Sequence, residues 1–432
     1  MRKKNLNYWL ILPFSIILFS GVIYALNSSV FIYEFGLKAN KYLDLNVEKN
    51  RGLKKTALEI TRFFLQLHPR PKSILYHKTD TEVGSKHSPR RVHVPANNPK
   101  PISRVNNVAQ LIAQFSLAKA GDTIVIAPGH YVLTGKRFKL KNGGAAGQKI
   151  TLMAETFGTV FLQLDSVEGL YLAQPHWSIH NLIFEGVCQY DNNCEHAIHL
   201  TRDADHVEII NNRFINFNAH IKSNGVNMSF PDNVTISGND FYNQSPRNTN
   251  NPVTPIDVVG GNDWLIAYNF IADFALKQSD KFTVSYGAFL KGAGQRGKIV
   301  GNVVNCAWNV PHQSFLDIRI GLSLGGGGTG GAYCQQAACD YEHKDGVIEN
   351  NLVLNCQNDV SIYLNKAPGS KVKDNVLLNS LGIDARFAIT TATIQNNQYQ
   401  GRIKARNGAW IRDFNNNNIA LNDMPASFIA EN

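Results

Sequence analysis
Lys291 ends one short β segment, and His199, Asp257, Tyr363, Lys366 and Arg386 fall at comparable places in neighbouring ones. These residue types suit work on an acidic substrate. A tyrosine can give a proton to a leaving group, and an arginine can clamp a carboxylate through two parallel N–H donors. Each also has an ordinary account: a lysine at a strand-to-turn junction is commonly a solvated edge residue, and His199 can be a plain surface histidine. Asp257 and Asp384 can be turn-formers. Hydrolysis by paired carboxylates needs the two close together, and Asp257, Asp317 and Asp359 are scattered in sequence. The glycine run from Gly325 to Gly331 lacks the Lys-Ser/Thr of a phosphate-binding loop, and no helix follows it. It reads as the start of an insertion that walls one side of a groove. Trp264, Trp308 and Tyr333 suit sugar contact there or simple packing.

The elements that position these side chains come from a repeat. Asn181, Asn212, Asn239, Asn269, Asn302, Asn351, Asn375 and Asn397 each follow a β-branched or aliphatic strand, at steps of 31, 27, 30, 33, 49, 24 and 22 residues. One short β unit per repeat of this length is the mark of a solenoid. Within each unit the side chains alternate with period two. An Asn after each strand suits a tight turn, since it tolerates the left-handed region. Stacked Asn residues also form amide ladders. No leucine lattice supports a leucine-rich repeat, and there are too few strands per repeat for a propeller. The expected fold is all-β: a single-stranded right-handed parallel β-helix over 105–401. An amphipathic helix from Asn106 to Ala120 would cap its open start, and 402–432 would form a C-terminal cover or tail.

Before the repeat, Arg2, Lys3 and Lys4 precede an apolar core from Trp9 to Leu26, 18 residues long and at the lower end of what spans a bilayer. The expectation is a signal anchor or transmembrane helix at 1–30, with a cleaved signal peptide as the rival reading. An amphipathic stalk helix follows at 31–68 and a Pro- and basic-rich, disordered linker at 69–104. The basic residues before the span would leave the β-helix outside, giving a single-pass inner-membrane protein with a periplasmic domain. The net charge of +10 is uneven: residues 1–104 carry 18 Lys+Arg against 6 Asp+Glu, the rest 25 against 27. The basic excess therefore suits anionic lipid, and the near-neutral domain gives no support to nucleic-acid binding.

All six cysteines fall in the part expected to be exported. Cys188 and Cys194 bracket a short polar loop, as do Cys334 and Cys339. Cys306 and Cys356 follow Asn302 and Asn351 by four and five residues, which would stack them on neighbouring rungs within disulfide reach. The spacings are not those of a zinc site, and no metal bound by cysteine is expected.

Two stretches carry a resemblance: Ala120-Gly-Asp-Thr-Ile-Val-Ile-Ala-Pro-Gly-His-Tyr131, and Phe289-Leu-Lys-Gly-Ala-Gly-Gln-Arg-Gly-Lys-Ile-Val-Gly-Asn302. With them the domain from about 104 to 401 resembles the parallel β-helices of polysaccharide lyase family six, the alginate lyases and chondroitinase B. The resemblance implies that Lys291 is the general base that takes the C5 proton of a uronate. It also implies calcium, held by acidic residues on the strand before the base, and an arginine on the following rung. Here that strand, from Val284 to Leu290, has no carboxylate. The arginine's place falls near Leu324, with Arg319 five residues early. The expected function is action on, or binding of, acidic polysaccharide. If catalytic, it is β-elimination or C5 epimerisation with Lys291 as base, Arg319 or Arg386 as carboxylate neutraliser and Tyr363 as acid. His199, Asp257, Lys366 and Trp308 would bind substrate. The rival reading is a non-catalytic glycan-binding or assembly protein.

Overall fold
In the computed structural model, residues 73–78, 84–85, 102–277, 283–336 and 338–419 are described. Their strands form three long sheets of 12, 11 and 10 strands, with a short two-stranded pair beside them. Every strand pairing is parallel, and each turn of the chain gives one strand to each long sheet. One turn runs through Trp177–His180, Ile183–Gly186 and His196–Thr201; the next runs through Glu208–Ile210, Arg213–Ile215 and Ala219–Asn224. This is a parallel β-helix.

Register makes the core. Ile179, Ile209, Ile236, Ile266, Ile299, Ile348, Val372 and Ile394 are in-register partners, all fully buried. Phe184, Phe214 and Phe241 stack at 4.8 and 4.9 Å on the second sheet. Burying each such side chain contributes about 1.5–3 kcal/mol, so stability is spread evenly along the stack rather than held at one centre.

The Asn ladder runs from Asn212 through Asn239, Asn269, Asn302, Asn351, Asn375 and Asn397 to Asn416, each Nδ2 donating to the next Oδ1 at 2.8–3.1 Å. Two expectations are corrected. The left-handed residue is the one before each ladder Asn, as at Asn211, Gly238 and Tyr268. Asn181 is itself such a residue (φ 59°), and Leu182 stands at the ladder position of its rung, its N–H donating to Asn212 Oδ1.

At the start of the stack, helix α1 spans Val108–Leu117, with Leu111 and Phe115 buried against the first rungs. The Asn107 side chain accepts from the Gln110 N–H at its N-terminus. At the other end the strands continue beyond Gly401. Arg402–Arg406, Trp410–Phe414 and Asn417–Asn418 add a further rung where a cover or tail was expected.

The described part of the expected linker is packed on the coil. Asn355 holds Ile74 by both backbone groups, at 2.8 and 2.9 Å. Tyr76 stacks on Phe270, and the Trp308 indole N–H donates to the Tyr76 carbonyl. Lys78 Nζ lies 2.9 Å from Asp240 Oδ1, and the Gly84 N–H donates to the same carboxylate. These residues form a strap across the outer face of the 11-stranded sheet. The expected inner-membrane, periplasmic placement is corrected: among the described residues no helix is long and apolar enough to cross a membrane. The anchor at 1–30 and the stalk at 31–68, on which that placement rested, lie outside the described residues.

Candidate functional site
The outer face of the 10-stranded sheet gathers most of the ionisable residues that the sequence singled out. Because Ile198, Ile221, Ile256, Leu290, Leu322, Ile362 and Ile383 point inward, residues one position away point out. One outward row is set by register: Tyr171, His199, Lys222, Asp257, Phe289, Ser323, Tyr363 and Asp384. A second row, two residues on, includes Asn224, Val259, Lys291, Asn365, Arg386 and Arg406.

Lys291 sits in the middle of this face at the end of the strand Thr283–Lys291. Its Nζ lies 4.5 Å from the centre of the Phe289 ring. Among the described residues it has no hydrogen bond or ion pair. Burial pulls its pKa below the ordinary lysine value; Asp257 and Glu342 oppose this, and the Lys222 ammonium adds to it. Nearby carboxylates are engaged elsewhere. Asp257 Oδ1 is 2.8 Å from Lys222 Nζ, an ion pair whose angle falls outside hydrogen-bond geometry. Glu342 is buried and accepts from the Gly292 and Thr329 N–H groups and the Thr329 hydroxyl.

Through Glu342, the glycine-rich run is tied against Lys291, where Gly326 leaves room: a Cβ there would meet Lys291 Cδ at 3.0 Å. Gln335 bonds back to Gly292 and Gly261, and Cys334 is joined to Cys339. The insertion is thus one wall beside the lysine, as its position in the sequence suggested. Asp191 and Glu195, near the disulfide Cys188–Cys194, bind Arg247, Asn248 and Asn251 of another connection. Cys306 and Cys356 are bonded on neighbouring turns, with Cα atoms 5.0 Å apart.

Other candidates are distributed along or away from this face. Asp257 is one strand before Lys291's own strand and His199 three before it. The His199 Nε2 is 2.7 Å from Asn224 Oδ1, and its ring meets Tyr171 and His196 edge-on. Tyr363 lies two strands on, packed with Tyr286, Phe289, Ile318 and Ile320 in an apolar cluster outside the main core. Arg386 is three strands on, about 14 Å at 4.8 Å per strand; its Nε is buried without a hydrogen-bond partner, and its guanidinium lies over Phe387. Lys366 follows Asn365 in a left-handed turn beside Arg386.

Two assignments are corrected. Arg319 is fully buried, and all five of its N–H donors are used, on Asp317 and on the carbonyls of Cys306, Val310 and Pro311. It is a structural cross-link and has no donor left for a substrate. Trp308 belongs to a different face: its ring packs edge-on against Phe270 and Tyr242, and its N–H holds the strap. The paired-carboxylate alternative, raised for Asp257, Asp317 and Asp359, finds no support on this face. Asp317 is buried and locked to Arg319, Asp257 is paired with Lys222, and the two aspartates of the outward row, Asp257 and Asp384, stand four strands apart, about 19 Å, beyond the roughly 5–9.5 Å that such hydrolysis uses. Sequence reading missed Lys222 and Glu342. Aligning Ile198, Ile221 and Ile256 as one inward row would have placed Lys222 beside His199 and Asp257; Glu342 sits in an insertion with no register to betray it.

The calcium implied by the resemblance does not fit these residues. A calcium ion takes six to eight oxygen ligands. The part of Lys291's own strand that leads up to it instead turns Tyr286 and Phe289 outward into the apolar cluster. Among the described residues no group of three or more His, Cys, Asp or Glu could hold a metal.

A parallel β-helix with a half-buried lysine on a walled sheet face defines the class. The chondroitinase B family model matches residues 105–230, ending before the lysine's strand. The chain is thus a β-helix protein that resembles polysaccharide lyase family six, with the calcium-site carboxylates not matched. No curated protein matches. Among solved structures, an alginate lyase from Paenibacillus is 15% identical, covering 74% of this chain and 95% of its own, with a TM-score of 0.42. A family-six polysaccharide lyase from Pseudopedobacter saltans is 14% identical, covering 76% and 96%, TM-score 0.41. A lacto-N-biosidase from Eubacterium ramulus is 9% identical, covering 73% and 67%, TM-score 0.44.

Proposed function
We propose that the protein binds an acidic, uronate-containing polysaccharide along the outer face of the 10-stranded sheet and cleaves it by β-elimination. The stack is right-handed, and α1 closes its start. The observation that carries the reading is Lys291: half-buried, without an acidic partner, and with its pKa lowered by burial. A base works best when its pKa is drawn toward the working pH. Neutral Lys291 takes the C5 proton; the electron pair released forms the C4–C5 double bond as the C4–O bond breaks. The leaving oxygen then receives a proton, from Tyr363 in this reading. Lys222 and Arg386 flank Lys291 along the face, while Asp257 and His199 line it, which suits a chain of repeated carboxylates.

A second reading has support in one observation. Arg319 is consumed inside the fold, so among the described residues no arginine stands beside the base, and the same face could hold polymer without cutting it or with only C5 epimerisation. The test is to incubate the full chain with alginate, chondroitin and pectin and to record ultraviolet absorbance of the unsaturated uronate, with Lys291→Ala as control. Absorbance that rises and vanishes in the variant supports the lyase. Silence on every uronate with retained polymer binding replaces it with the binding protein, and NMR of the treated polymer then reports any epimerisation.

A further inference from the structure
The misfit of calcium leaves a chemical need unmet. Taking a proton beside a carboxylate builds negative charge there, and some fixed positive charge must meet it. Arg319 cannot, because its donors are all engaged. Arg386 stands three strands away. Lys222 is nearer by element: its strand Ala219–Asn224 pairs with Ile256–Val259, which pairs with Lys291's strand.

We infer that Lys222, held by Asp257, supplies this charge, and that the site works without a divalent cation. This rests on the proposed function. Three observations carry it. Asp257 is the in-register neighbour of Lys222 and fixes its Nζ at 2.8 Å, so the ammonium is positioned before any substrate arrives. The side chain is largely shielded, at 19% exposure, where a charge acts more strongly than in open water. The Tyr286–Phe289 cluster takes the space of the missing ligands and offers apolar surface in place of oxygen. Lys222 also acts on the base, since its field helps hold Lys291 below the ordinary lysine pKa. Without it, Asp257 would be free to turn its charge on Lys291 and raise that pKa again. Lysine suits the part as a compact point charge.

The experiment uses the full chain throughout. Calcium is titrated in by calorimetry, and polymer binding and elimination are measured with chelator and with added calcium. Lys222→Met, Lys222→Arg and Asp257→Asn are compared, with thermal melts to confirm folding. Expected are no heat of calcium binding and equal activity in chelator. Lys222→Met should bind polymer about tenfold more weakly or worse, the loss of one charge-assisted contact, and its pH–rate curve should move upward; Lys222→Arg should retain binding. Calcium heat that disappears in Asp257→Asn, loss of activity in chelator, or Lys222→Met behaving like the unaltered chain would each overturn the inference. If the unaltered chain neither binds nor cleaves any uronate polymer, the proposed function falls and this role of Lys222 with it. Calorimetry answers the metal question in either case.

Discussion
Replacing Arg319 with methionine keeps most of the side-chain volume and removes all five donors at once. Asp317, about 1% exposed on its side chain, would keep the Gln313 N–H at 3.1 Å and a histidine ring 3.9 Å away, but no cation locked to both oxygens. The carbonyls of Cys306, Val310 and Pro311 would lose their donor as well. Breaking a buried pair by removing one partner costs about 3–5 kcal/mol, because the remaining charge is left uncompensated. For a stack of this size that corresponds to a fall of roughly 4–7 °C in the melting midpoint. The assay is paired: thermal melts by circular dichroism, and polymer binding at a temperature where the variant is folded. Binding should persist, since Arg319 faces no substrate. A midpoint within about 1 °C of the unaltered chain, or binding lost while the midpoint holds, would refute the reasoning and return Arg319 to the site.

Lys291→Met should abolish elimination while raising the melting midpoint slightly, because it removes a half-buried charge with no partner; melts and absorbance assays on one preparation check both. Asn302→Ala, in the middle of the ladder, should cost about 2–3 kcal/mol by taking the Oδ1 acceptor from both the backbone N–H and one side-chain N–H of Asn269, and one of two donors from Asn351 Oδ1, read as a lower denaturant midpoint. Acid should weaken the fold through its buried histidines. Burial lowers the pKa of His180 and His312 to about 4, and of His196, His220 and His343 to about 3. These folded values lie below the unfolded histidine value of about 6.5, so their contribution is fully present above that pH and is lost as pH falls from there through about 4 for His180 and His312 and about 3 for the other three. A midpoint unchanged between pH 7 and pH 4.5, buffers matched, would count against it.

The repeat was legible because its cause is periodic: inward Ile, Val and Leu and the ladder Asn recur with every turn, and Cys306 and Cys356 could be paired from their offset to that ladder. Asn181 shows the limit of the pattern, since an Asn one residue early serves the turn and not the ladder. Arg319 illustrates another. Spacing put it near the lysine, but its partner Asp317 is two residues away on the same strand, and only the folded connection from Cys306 to Pro311 shows that the guanidinium is enclosed. Lys222 was visible as a residue and invisible as a neighbour, because adjacency here is set by register between turns.

The strap shows that the repeat's edge is not the edge of the folding unit. A chain cut to begin near residue 100 would still contain the whole stack and its Asn ladder. It would also expose Phe270 and the Trp308 ring face, leave the Asn355 amide without Ile74, and leave the buried Asp240 carboxylate to Arg213 alone as counter-charge. Such a truncation would be sticky along one flank and acid-sensitive at Asp240. Silence from it in a glycan assay would therefore not count against Lys291, which keeps its place on the 10-stranded sheet.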